Sequence, residues 1–367
     1  VAVYTLEIVN RNGGLVADLT GIATSRKFEV ERNAAGKVSF EVDAKVLSDF
    51  ALTNNTTGAA ILAPGINEVR VKRGSTYLTG GKITYIETTG SGENKTVSVH
   101  ADGFLSLFKD RFYEKQKIFT AVEASTILWT VINETQTASA NFYNSALEAL
   151  PTAGDCTFGV TQGTLETIGA KDRTYEIGKN VKDILVQMTE LQSTSTDIYF
   201  TYDKVFHAVA RQGSNKPGIV FELGKNVLGY KLPHDAQEIA NRVITTGSGS
   251  QGAGTLVASV VADAPSQVNY RVRQRIRQFN SIDNTSTLDD HGNGLLQALK
   301  DPMNTPDITV DLNDEVTIAD FWVGDRVMVR LEDPEIPHDI SGLYRVEKIN
   351  MTISDEELET ATLTLSV

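Results

Sequence analysis

The chain has 367 residues, with 47 acidic against 34 basic side chains and a formal net charge of −13. Its length predicts two or three domains with substantial cores, and no run approaches the ~18 uninterrupted apolar residues of a membrane helix. The acidic balance argues against nucleic acid as a ligand, because a generic nucleic-acid binder is basic.

The opening residues, Val1 to Asn10, show no basic region followed by an apolar run, so no signal peptide is expected. The single cysteine, Cys156, cannot form an internal disulfide. Its local sequence Gly154-Asp155-Cys156-Thr157-Phe158 supplies no basic partner that would activate a thiol, which reads as a small strand residue.

In chain order, Val3 to Ile8 predicts a first strand. Lys27 to Glu31 and Val38 to Val42 alternate apolar and polar residues around the turn Asn33-Ala-Ala-Gly36, a hairpin pattern. Glu68 to Lys72, Lys82 to Tyr85 and Thr96 to Val99 continue it, predicting a small barrel or sandwich over residues 1–110. Residues 111–221 are mixed. Thr120-Ala-Val-Glu123 reads as a capping box opening a helix with Ile127, Leu128 and Val131 on one face. Asn180 is expected to cap a second helix, with Val181, Ile184, Leu185, Met188 and Leu191 at helical spacing. Asp197 to Tyr202 and Val205 to Val209 follow as a hairpin, giving an α+β insert. Residues 222–367 return to strands at Arg242 to Thr246, Ile308 to Leu312, Asp325 to Leu331, Leu343 to Ile349 and Thr360 to Val367, with a helical excursion near 284–301. The expected class is a β-rich α+β chain: two similar small β-barrels with an α+β insert between them.

The two β segments echo each other. Val69 and Val71, Gly81 with Ile83 and Tyr85, then Val97 and Val99 close the first. Val327 and Val329, Gly342 with Tyr344 and Val346, then Leu363 and Leu365 close the last. Strand order and the glycine before the second strand are shared, as for one barrel used twice. A trimer of such a chain can present six similar faces around one axis.

Reactive constellations are absent from the sequence. The five histidines, His100, His207, His234, His291 and His338, show no metal-ligand spacing, and there is no His-Glu-x-x-His. No Gly-x-Ser-x-Gly elbow occurs. Asp289-Asp290-His291 offers an acid and a base but falls in a polar, glycine-flanked stretch that reads as a solvated loop or helix start. Asp355-Glu356-Glu357 reads as a charged hairpin turn. The glycine-rich Gly247 to Gly254 lacks the Lys-Ser/Thr ending of a phosphate loop and reads as a flexible connection. No catalytic residue, metal or cofactor is expected. Arg271, Arg273, Arg275 and Arg277 alternate with Val272, Gln274, Ile276 and Gln278. On a strand the four guanidinium groups share a face, either to contact an acidic partner or to pair within the chain. On a helix Val272, Ile276 and Phe279 would form the buried stripe.

Several segments together resemble the baseplate-hub or tail-tip proteins of long-tailed bacteriophages, which share a fold with the hubs of contractile tails. Asn241-Arg242-Val243-Ile244-Thr245-Thr246-Gly247 resembles that family's Asn-Arg-Val strand entering the second barrel. Asn269-Tyr270-Arg271-Val272-Arg273 resembles its Tyr-Gly-x-Arg-Glu segment, with Arg271 in place of the glycine and Gln274 in place of the acid. Pro302, Ile308 to Leu312, Val323-Gly324-Asp325-Arg326-Val327 and Tyr344-Arg345-Val346 follow in the family's order. Upstream, Ala101 to Arg111 resembles the helix and arginine that close its first barrel. The resemblance implies a non-enzymatic virion protein at the tail tip, forming a homotrimeric ring. Its implied partners are the hexameric distal-tail ring and tail tube, the tape-measure protein and downstream tip or fibre proteins. DNA would pass in transit without specific binding, and the chain would not insert into a membrane. A tail-associated wall hydrolase and a carbohydrate-binding adhesin are the alternatives.

Overall fold

Alternating apolar side chains become one extended sheet. The computed structural model describes residues 3–92, 94–146, 149–191, 196–249, 254–280, 282–302, 305–313, 315–332, 340–354, 356 and 358–366. His338, residues 250–253 of the glycine-rich loop, and Asp355 and Glu357 of the acidic turn lie outside them.

The first segment contains β1 (Tyr4–Val9), β2 (Leu15–Asp18), β3 (Ala23–Glu31), β4 (Lys37–Asp43), helices α1 (Ala44–Thr53) and α2 (Gly58–Ile61), β5 (Glu68–Arg73), β6 (Thr76–Ser91) and β7 (Asn94–Gly103). The predicted hairpin forms, with Phe28 opposite Val38. The insert holds β8 (Lys117–Glu123), α3 (Ala124–Gln136), α4 (Ala153–Cys156), β9 (Thr161–Leu165), β10 (Ala170–Tyr175), α5 (Val181–Thr189), β11 (Asp197–Phe200) and β12 (Val205–Val209). The last segment contains β13 (Asn215–Glu222), β14 (Val227–Lys231), β15 (Arg242–Thr246), β16 (Ala258–Ala262), α6 (Ala264–Tyr270), β17 (Gln274–Gln278), α7 (Thr285–Leu299), β18 (Asp307–Asp311), β19 (Arg326–Leu331), β20 (Ile340–Ile353) and β21 (Glu359–Ser366).

Strands of both β segments pair into a single 13-stranded sheet. Its first half runs β3-β4-β7-β6-β5-β1; its second runs β14-β18-β21-β20-β19-β13. The order is the same, although β1 meets β5 antiparallel and β13 meets β19 parallel. The hydrogen-bonded register refines the echo read from the sequence. Val69 faces Gly81 and Val327 faces Tyr344, so Gly81 matches Tyr344 rather than Gly342. The bulge after Ile83 matches the bulge after Val346. The period-2 pattern had hidden this displacement, because a shift of one full pleat repeat leaves every side chain on its original face.

The halves join at a seam where the second part of β20 pairs antiparallel with β3, Met351 opposite Phe28 and Ile353 opposite Arg26. Lys348 reaches Glu29 at 2.8 Å and Glu31 at 3.6 Å across it. Buried residues of both halves, from Tyr4 to Leu365, form one contiguous core.

A second core, from Phe104 to Ala208, gathers the insert. Phe104–Phe108 is a 3-10 turn whose five residues are all buried. Arg111 then ties the insert together, donating to the Tyr143 hydroxyl at 2.7 Å and the Cys156 carbonyl at 3.0 Å. Ile127, Leu128 and Val131 are buried on α3 as their spacing predicts. The expected capping box does not form: Thr120 to Glu123 belong to β8, and Glu123 occupies the cap position with no side-chain bond to the helix. Its carboxylate instead accepts from Ile168 and Gly169 N–H at 2.5 and 2.6 Å, because strand pairing with β10 claims the segment before the helix. Asn180 does cap α5, accepting from Asp183 N–H at 3.2 Å. Cys156 ends the short helix α4 rather than lying in a strand, as Thr152 caps that turn through Asp155 N–H.

Candidate assembly surfaces

The arginine run lies on a small separate sheet ordered β16-β15-β17, whose other layer is α7. β15 carries the Asn-Arg-Val segment, and fully buried Asn241 before it clasps the arginine segment. Its side-chain amide donates to Arg271 C=O at 2.7 Å, and its carbonyl oxygen accepts from Arg273 N–H at 2.9 Å. Two stretches that resemble one family's motifs are therefore a single structural unit. Arg271, where that family has glycine, takes φ 64° and ψ 174°, a region that glycine alone occupies without strain.

The alternation resolves as a strand, and all five residues of β17 are exposed. Arg275 and Arg277 lie opposite Val243 and Thr245, on the face turned toward α7, where the Thr245 hydroxyl donates to Leu288 C=O at 3.1 Å. Both arginines pair within the chain, Arg275 with Glu238 and Arg277 with Glu190 at 3.5 Å. Arg273 donates to Ala236 C=O at 3.0 Å. Arg271 lies in the turn before the strand, so the four do not form one continuous charged face. On the opposite face Ile276, Ile244 and Val260 stand in register, with Ile276 68% and Val260 47% exposed.

Asp289-Asp290-His291 is not a solvated loop or helix start. It lies within α7, which Asn284 caps. Asp289 accepts from the Ser259 hydroxyl and Asp290 pairs with Lys171 at 3.0 Å. His291 is buried and stacked on Phe279, ring centroids 4.2 Å apart. Burial, with Arg173 nearby, pushes its pKa down to about 3, so the imidazole is neutral near pH 7. The polar stretch deceived because its helical period brings Leu288, His291 and Leu296 onto one buried face.

A polar cleft of about 350 Å³ opens beside this helix, lined by Lys171, Asp172, Ser286, Thr287, Asp289 and Asn293 among others. Its carboxylates are engaged structurally: Asp172 accepts from Ala121 N–H at 2.7 Å, and Asp289 from Ser259. Elsewhere His207 stacks on Tyr199 at 4.6 Å and accepts from Thr164 N–H at 3.0 Å through Nδ1. Among the described residues no group of three or more His, Cys, Asp or Glu side chains is arranged to hold a metal.

The insert docks onto the first half through buried charge. Lys204, at φ 66° in the β11–β12 turn, reaches Glu68 on β5 at 2.7 Å, both side chains at most 5% exposed. Tyr202 stacks on Tyr77 of β6 at 3.9 Å, and Arg32 reaches Asp197 at 2.6 Å.

No protein-family model matches the sequence, and no curated protein matches it. Solved structures do resemble the fold over nearly its whole length. The 43 kDa tail protein of prophage MuSo2 from Shewanella oneidensis superposes with a TM-score of 0.66 at 13% identity, covering 99% of this chain and 98% of that one. A tail protein from Neisseria meningitidis gives 0.58 at 13% identity, covering 99% and 96%. The E. coli c3393 protein gives 0.50 at 9% identity, covering 94% and 73%. It is described as a type VI secretion component structurally similar to the T4 bacteriophage tail proteins gp27 and gp5. The chain thus has the β-rich fold of phage tail proteins, in agreement with the resemblance read from its motifs.

Proposed function

We propose that this chain is a structural protein of a phage tail, the trimeric hub at its distal end. The observation that carries the reading is one strand order used twice in one sheet, within a tail-protein fold that spans nearly the whole chain. We read the halves as two barrel domains with the α+β insert between them. β13 pairs with β19 and Phe221 packs in the large core, while Phe104–Phe108 pack in the insert core, so the boundaries fall near Gly103 and Asn215 rather than at residues 110 and 222. Three copies place six similar faces around an axis, a match for the hexameric distal-tail ring and tail tube above. Threefold tip or fibre components then attach below, and the tape-measure protein and the genome pass through the channel. The net charge of −13 suits that passage. An acidic lumen repels phosphate within a Debye length of roughly 8 Å at physiological salt. The proposed role involves no catalysis, cofactor or membrane insertion. The arginine run, with Arg271 and Arg273 before β17 and Arg275 and Arg277 on it, is a secondary candidate contact for an acidic partner.

Light-scattering mass at high concentration, with negative-stain class averages of the same sample, tests the hub. A threefold ring with six peripheral lobes is the expected result. A strict monomer that also fails to assemble with a distal-tail ring would sink it. Release of fragments from purified cell wall would instead favour a hydrolase, and retention on host glycans an adhesin.

A further inference from the structure

The repeated strand order makes the seam between β3 and β20 a template for a contact that the isolated chain leaves open. Within the repeat β6 takes the place of β20, and β14 that of β3, each set by its hydrogen-bonded neighbours. Phe40 and Val42 on β4 face Val99 and Val97 on β7; Ile308 and Val310 on β18 face Leu363 and Ala361 on β21. Val42 faces Ala23 on β3, and Val310 faces Val227 on β14. Ser39 faces Lys27, and Asp307 faces Lys231. Lys231 is therefore the counterpart of Lys27, and Tyr230 that of Arg26. With the two bulges aligned, Gly90, Thr89 and Thr88 are the counterparts of Ile353, Thr352 and Met351.

In the seam Ile353 pairs with Arg26, Thr352 with Lys27 and Met351 with Phe28. Their counterparts do not meet within the chain. β14 ends the sheet path, paired only with β18 among the described strands. β6 is covered by β5 as far as Lys82, and from Thr84 to Ser91 it pairs, among the described strands, only with β7. Exposure follows the same logic. Arg26, Phe28, Met351 and Ile353 are buried at the seam. Thr88, Gly90 and Tyr230 are exposed, and Leu232 is half-buried. A long uncovered edge is a template for another strand.

We infer that β14 of one copy pairs antiparallel with the projecting part of β6 of the next, in the register of the seam. Thr89 lies opposite Lys231, Gly90 opposite Tyr230, and Thr88 opposite Leu232. Lys231 then has Glu87 as its diagonal neighbour, a distance that long side chains span. Pro233, with no N–H to give, limits the ladder on one side. The contact joins two different edges, so it is head-to-tail and closes into a ring rather than a twofold dimer. This inference rests on the ring reading above for its closure, and it names the two edges that build the ring.

The test is oxidative cross-linking of Thr89→Cys and Lys231→Cys in the full chain, both positions being exposed and the native Cys156 thiol buried. Lys27→Cys with Thr352→Cys, across the seam, is the positive control and closes within one chain. A doubly substituted chain is expected to give a ladder of covalent oligomers ending at the ring. Mixing the two single variants gives a covalent dimer, and each single variant alone gives none. A ring seen by light scattering without this cross-link would overturn the inference and leave the hub reading standing. A closed control with only monomer, in mass and on the gel, would also overturn it, while the hub reading would then stand or fall on assembly with a distal-tail ring.

Discussion

Arg271 shows how much one residue can reveal. Its φ of 64° and ψ of 174° cost roughly 1–3 kcal/mol for a residue with a Cβ. Glycine removes that strain but adds about 0.5–1 kcal/mol of unfolded-chain entropy. Arg271→Gly is therefore expected to stabilise the fold by about 1 kcal/mol, read as a higher urea midpoint at unchanged slope; a lower midpoint would show that the arginine side chain contributes more than its backbone costs. His291 makes the opposite kind of contribution. Its pKa is depressed to about 3 by burial, while an unfolded histidine titrates near 6.5. Below that value the unfolded chain binds a proton that the folded chain refuses, so stability falls as pH drops from about 6.5 toward 3. His291→Phe is expected to flatten this dependence by up to about 1.4 kcal/mol per pH unit. Urea titrations at pH 7, 5.5 and 4.5 give the comparison, and equal slopes in both proteins would refute the assignment.

Between elements, the decisive contacts are polar ones in dry places. Lys204 extends from a turn of the insert to Glu68 on β5 and also donates to Arg11 C=O at 2.6 Å. Burial pushes the Glu68 carboxyl up even beside this cation, so neither charge is comfortable alone. Lys204→Met should cost about 3–5 kcal/mol, because it strands a buried carboxylate. The double variant Lys204→Met with Glu68→Leu should recover much of that loss, and a strictly additive result would mean that the two do not act as a pair. The tight turn at Gly324 is of the same kind. A Cβ on Gly213 would lie 2.1 Å from the Gly324 carbonyl carbon, so two backbones touch where Val323-Gly324-Asp325 bends. Asp325 holds that bend, accepting from Ser214 N–H at 2.7 Å and Trp322 N–H at 2.8 Å.

At the scale of the molecule, the two halves are one sheet with one core, so they are expected to succeed or fail together in folding. Their joint at β3 and β20 is also the proposed pattern for joining copies. The mass of the assembly and its cross-links would therefore be whole-molecule measurements of one geometric rule. The −13 charge belongs to this scale as well. In the proposed hub it would act on what passes through the channel, whereas pairs such as half-buried Arg73 with buried Glu359 at 2.7 Å act on the chain itself.

The sequence by itself determined the main strands of the large sheet and the two main helices α3 and α5, because period-2 and 3.6-residue patterns are local properties of burial. Short or edge strands such as β2, β13 and β14, and helix α1, carried no such signal. It also showed the doubled strand order, and its motif order pointed to the tail-protein fold. Chemistry that depends on neighbours far along the chain was beyond it. The Thr120 to Glu123 segment has a capping spacing, yet pairing with β10, far along the chain, makes it a strand. Asp289 to His291 is polar in sequence, yet His291 is buried and both aspartates are half-buried. The arginine run alternates, but strand register sends Arg275 and Arg277 toward acids of their own chain. Only the tertiary structure decided that Gly81 matches Tyr344 and that, among the described residues, one edge of β14 and the part of β6 beyond Lys82 have no partner strand. Register is a relation between strands, and one strand's alternation reads the same after a shift of two residues.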